Sequence, residues 1–124
     1  MRFLAAAIVA VAFAAQAAAK DGVVAHLENP AVLRAAPGKR IVLVWTLRAG
    51  THPFGASGIY VRLRGRATST GTASEVAPGR FRARLAVPRG GVRSIVIALR
   101  GWRSDVHGRV RADLRFPIDN DPTR

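Results

Sequence analysis

The chain has 124 residues, a formal net charge of +13 from 20 Lys and Arg against 7 Asp and Glu, and no cysteine. That length is one domain's worth. The absence of cysteine excludes disulfides, thiolate metal sites and a lipoprotein tether on an N-terminal cysteine.

The first residues read as an export signal. Met1-Arg2 is a short basic start, residues 3–15 are an unbroken apolar run, and Gln16 leads into Ala17-Ala18-Ala19, a small-x-small cleavage site. Cleavage is expected after Ala19, giving a signal peptide (1–19), a domain (20–118) and a polar tail (119–124) in a secreted or extracytoplasmic protein. The run is short for a membrane span of about 20 residues, so no permanent anchor is expected.

Beyond the leader, residues 23–27 (VVAHL) form a first strand, Glu28-Asn29-Pro30 breaks it, and a short second strand is expected at 32–34. Ala36-Pro37-Gly38-Lys39 is a turn by composition. Residues 40–47 (RIVLVWTL) are the most apolar segment, with Ile41, Leu43, Trp45 and Leu47 on one parity and Val42 and Val44 on the other. That pattern belongs to a central strand or one covered on both faces.

Residues 50–58 (GTHPFGASG) are a loop. At 59–64 Ile59, Val61 and Leu63 point inward and Tyr60, Arg62 and Arg64 outward. The small polar stretch 66–77 is expected as an exposed edge ribbon turning at Gly71.

Residues 79–101 read as a hairpin. Phe81, Ala83, Leu85 and Val87 alternate with Arg82, Arg84 and Ala86 in one arm, Ile95, Ile97 and Leu99 share a parity in the other, and Pro88-Arg89-Gly90-Gly91 is the reversal. The 40–47 strand is expected to face it across a core. A loop at 101–108 and a final strand at 109–116, stopped by Pro117, complete the chain. About seven short strands separated by turns predict an all-β, immunoglobulin-like antiparallel β-sandwich.

Pro78-Gly79-Arg80-Phe81-Arg82-Ala83, followed by Leu85-Ala86-Val87-Pro88 and Gly90-Gly91, resembles the hairpin of small bacterial envelope domains of the YtkA-like and FixH-like kind. Similar secreted actinobacterial proteins share the strand from Pro37 to Leu47, the His52-Pro53-Phe54-Gly55 loop and the Phe116-Pro117-Ile118-Asp119-Asn120-Asp121-Pro122 end. The resemblance implies an exported immunoglobulin-like domain, with relatives tied to metal handling or oxidase assembly. It carries over no catalytic residue.

No nucleophile elbow, phosphate-cradling glycine loop or carboxylate pair is present, so an enzyme is not expected. Outward arginines recur at spacing two: Arg62 and Arg64, Arg82 and Arg84, and Arg109, Arg111 and Arg115. Guanidinium groups pair bidentately with phosphate and carboxylate. The arginines therefore fit either a basic face or the solvated faces of an alanine- and arginine-rich composition. As a face they would take an acidic envelope polymer, an anionic lipid headgroup or an acidic protein. Nucleic acid is not expected, because the leader exports the chain and no stacking-aromatic signature accompanies the arginines.

The expectation is thus a secreted, non-catalytic cell-envelope interaction or accessory module without a cofactor. The alternative is extracytoplasmic metal handling through His26, His52 and His107. Without sulfur ligands in the processed chain, such a site would hold copper(II) or zinc(II) on nitrogen and oxygen. Asp119-Asn120-Asp121 is too incomplete for a calcium loop.

Overall fold

The alternating apolar rows fold as strands in the computed structural model, which describes residues 22–124. The expected leader lies outside those residues. In chain order the strands are β1 (Val23–Leu27), β2 (Arg40–Ala49), β3 (His52–Pro53), β4 (Ile59–Arg64), β5 (Thr68–Thr72), β6 (Ser74–Ala77), β7 (Arg80–Ala86), β8 (Ser94–Leu99), β9 (Trp102–Asp105), β10 (Gly108–Arg111) and β11 (Leu114–Phe116).

These strands build two layers and a ribbon. The first layer has the order β1-β2-β7-β6, with β3 pairing beside β2, and the second has β11-β8-β4-β5. In immunoglobulin lettering these read A-B-E-D and G-F-C-C′, the pairing of an immunoglobulin-like sandwich. The strands β3, β9 and β10 are additions to that plan, so the described residues hold eleven strands rather than about seven.

One core fills the space between the layers. Leu43, Trp45, Leu47, Phe81 and Leu85 of the first layer meet Val61, Leu63 and Ile97 of the second in a single buried cluster. Each such aliphatic side chain contributes about 1.5–3 kcal/mol when fully removed from water. Trp45 and Phe81 sit opposite each other in register and stack at 6.1 Å between centroids with 17° between planes. The indole Nε1 of Trp45 is buried and finds no acceptor among the described residues.

The expected hairpin at 79–101 does not form. Its arms, β7 and β8, lie in different layers, and β2 lies beside β7 rather than across from it. The link is a crossing. Val87 is still tied to the first layer, donating to the Lys39 carbonyl and accepting from Gly38 N, whereas Arg93 N donates to the Arg64 carbonyl of the second. Gly90 and Gly91 do take positive φ, at 82° and 84°. An amphipathic arm needs an apolar partner on one side and a hydrogen-bonding partner at its edge, and β2 and β4 meet the second need.

Three further expectations are corrected. Residues 32–34 lie within a 3₁₀ helix, Pro30–Arg34, whose first position is proline and whose Leu33 is buried; fixed φ at Pro30 suits a helical start. Gly71 is not a turn but part of β5, where an added Cβ would lie 2.9 Å from the Arg84 carbonyl. The two edge strands β5 and β6 instead separate at Ala73, whose N donates to the Ile59 carbonyl. Last, the segment 101–116 holds three strands, with β9 inside the expected loop and the expected final strand split into β10 and β11.

The C-terminal residues cover the free edge of β1. Ala25 N donates to the Pro117 carbonyl and Ala25 O accepts from Asp119 N. The Asn120 side chain then accepts from Leu27 N and donates to Leu27 O, both at 2.8 Å. An edge strand thereby loses the unpaired groups that would recruit another chain.

Candidate anion-binding face

Strand parity decides where the arginines go. On β4, Arg62 and Arg64 point to the outer side of the second layer, flanked across the sheet by Val96 and Ser94 of β8 and by Thr70 and Thr68 of β5. Arg115 of β11 stands opposite Ala98, which in turn stands opposite Tyr60. Arg109 and Arg111 belong to the ribbon. Arg82 and Arg84, by contrast, face outward from the first layer, opposite Val44 and Val42. The sandwich therefore separates these two from the others.

Tyr60 is the centre of the second-layer face. Its parity is outward, yet it is 2% exposed, because charged groups lie over it. The guanidinium carbons of Arg62 and Arg100 stand 5.1 Å and 5.0 Å from its ring centroid. Its hydroxyl donates to Asp113 Oδ2 at 2.8 Å. Burial, followed by the hydrogen bond and charge of Asp113, raises the phenol pKa above 10.0, against the opposing pull of Arg62 and Arg100.

Asp113 joins this cluster to the ribbon. Its Oδ1 accepts from Gly101 N at 3.4 Å and lies 4.0 Å from Arg111 Nη1. In the ribbon Arg111 pairs in register with Trp102. The guanidinium carbons of Arg111 and Arg109 each lie 5.0 Å from the Trp102 ring centroid. Trp102 is 51% exposed.

Two aromatic rings thus each hold two arginines, and one carboxylate links the sets. A guanidinium near an aromatic ring gains about 0.5–1 kcal/mol at exposed sites, and it loses part of the rotamer freedom that an incoming anion would otherwise have to remove. Among the described residues, Arg62, Arg64, Arg100, Arg109 and Arg115 make no ion pair with a carboxylate. Their charge remains available to an external anion.

The sequence did not single out Tyr60, Arg100, Trp102 or Asp113. The spacing of Tyr60 and Arg62 was a local signal, since i and i+2 share a strand face. The pairing of Trp102 with Arg111 requires knowledge that residues 101–108 fold into a ribbon.

The histidines are placed separately. His26, on β1, bonds through Nδ1 to Asp119 Oδ1 at 2.8 Å, beside a shallow groove lined by Val24, Glu28, Thr46 and Arg48. Glu28 there pairs with Arg80 at 3.0 Å. His52 lies in β3 and His107 in the turn between β9 and β10. Among the described residues, no group of three His, Asp or Glu side chains is placed to hold a metal ion.

Comparison with protein-family models, with curated proteins and with solved structures finds no match to this chain.

Proposed function

We propose that this chain is a non-catalytic interaction module of the cell envelope, exported by its leader, that binds acidic partners through the outer face of the second layer and the adjoining ribbon. The observation that carries this is the pair of aromatic-held arginine sets, Arg62 and Arg100 on Tyr60 and Arg109 and Arg111 on Trp102. A scatter of solvated arginines does not need two rings and a shared carboxylate to order it. Kinship with YtkA-like and FixH-like exported domains is part of the same proposal.

Such a face recognises spaced phosphate, sulfate or carboxylate groups with little regard for the scaffold that carries them. Affinity falls with salt, since exposed charges are screened over about 8 Å at physiological ionic strength. Titration with a size-defined heparin at rising salt tests the proposal. Arg62→Glu with Arg100→Glu is expected to weaken binding at least tenfold, while Arg82→Glu with Arg84→Glu changes it less than threefold. Equal losses from both pairs would reduce the effect to net charge and end the proposal.

A further inference from the structure

From the ribbon β9-β10 we infer that the acidic partner is an anionic lipid surface, which the ribbon enters tip first. This rests on the anion-binding proposal and adds an apolar requirement to it. Among the described residues the exposed large hydrophobic side chains are Val76, Trp102 and Val106, and the last two share this ribbon. Val106 stands in the turn that closes β9 onto β10 and is 93% exposed. A side chain so exposed adds little to the packing of the described residues.

The rest of the ribbon grades from apolar to basic. Trp102 lies four residues before Val106, about 13 Å back along an extended strand. Arg103, Arg109 and Arg111 are exposed along the same shaft, against the single acidic residue Asp105. With the Val106 tip at the acyl boundary, that length places Trp102 at the headgroup layer, where an indole with an apolar body and a polar N–H settles. Arginines at that level meet lipid phosphates, and their aliphatic stems tolerate the apolar side of the boundary.

A soluble acidic polymer explains the arginines equally well but gives Val106 no role. A lipid surface uses both. The ribbon also lies between the strands lettered F and G, in a connection that immunoglobulin-like scaffolds use for recognition.

The two tryptophans make the test direct, because Trp45 is fully buried and only Trp102 can change environment. The processed chain, beginning at Lys20, is mixed with vesicles of phosphatidylcholine alone, with vesicles containing phosphatidylglycerol, and separately with heparin. Heparin binding is expected, and of the two vesicle types only those containing phosphatidylglycerol should bind, with a blue shift of Trp102 emission and quenching by brominated acyl chains. Val106→Ser, a neutral change at a solvent-exposed turn, lowers partitioning at least fivefold and leaves heparin binding intact, whereas Arg109→Ala lowers partitioning about fivefold. If vesicle binding persists in Val106→Ser with Trp102 emission unmoved, the inference is overturned while the anion-binding proposal stands. The same holds if heparin shifts Trp102 and the vesicles do not. Binding to neither probe overturns both.

Discussion

The Tyr60 hydroxyl donates to Asp113 Oδ2 at 2.8 Å, across 53 positions of sequence, and fastens the segment between β10 and β11 to the outer face of β4. Removing that donor while keeping the ring, in Tyr60→Phe, is expected to lower stability by about 1 kcal/mol. Urea unfolding measures it. Tyr60→Ala also removes the platform under Arg62 and Arg100, and is expected to weaken heparin binding more than Tyr60→Phe does.

The same residue sets an alkaline limit. Its folded pKa lies above the value of 10.0 for an ordinary phenol, because burial and Asp113 oppose the phenolate. The folded state therefore holds the proton more tightly than the unfolded chain. This contribution is fully present below pH 10 and is lost as pH rises through the folded pKa. Tyr60 is the only tyrosine, so phenolate absorbance reports its titration without overlap. A midpoint above that of the urea-unfolded chain is expected, and Tyr60→Phe should flatten the alkaline decline in stability.

Gly71 serves close approach between the layers rather than a reversal. A Cβ at this position would lie 2.9 Å from the Arg84 carbonyl and 3.2 Å from the Leu85 Cβ. Gly71→Ala is expected to destabilise by about 1–3 kcal/mol, the usual range for overpacking. A lowered urea midpoint with unchanged slope would locate the effect in the folded state.

Asn120 clasps both backbone groups of Leu27. Asn120→Ala leaves an N–H and a carbonyl of β1 without these partners, an expected loss of about 1–3 kcal/mol. Hydrogen exchange at Leu27 should accelerate more than exchange at residues of β8.

Trp45 has the opposite character, since its buried Nε1 has no acceptor among the described residues. Trp45→Phe gives up ring volume but removes an unsatisfied donor. It is expected to cost clearly less than Trp45→Ala, for which about 3–5 kcal/mol is typical.

Parity was legible in the sequence, and partners were not. The rows Ile41-Leu43-Trp45-Leu47 and Phe81-Ala83-Leu85 do face the core, because alternation alone fixes which side chains share a side. Alternation does not say which strand lies alongside, and the motif Pro88-Arg89-Gly90-Gly91 suits a crossing between layers as well as a hairpin. The arginines show the same limit. Spacing two revealed that Arg62 and Arg64 face outward together, but only pairing order reveals that Arg82 and Arg84 lie on the other side of the sandwich. The covering of Tyr60 by Arg100 and Asp113 depends on the ribbon and on the start of β11, and no local pattern encodes it.

The most direct test is to record backbone amide and arginine Nε–H resonances during titration with a soluble, size-defined polyanion. The largest shifts are expected at Arg62, Arg100, Arg109 and Arg111 and at the indole of Trp102. Shifts concentrated at Arg82, Arg84 and Arg40 on the first layer, or spread evenly over the arginines, would contradict the proposed binding face.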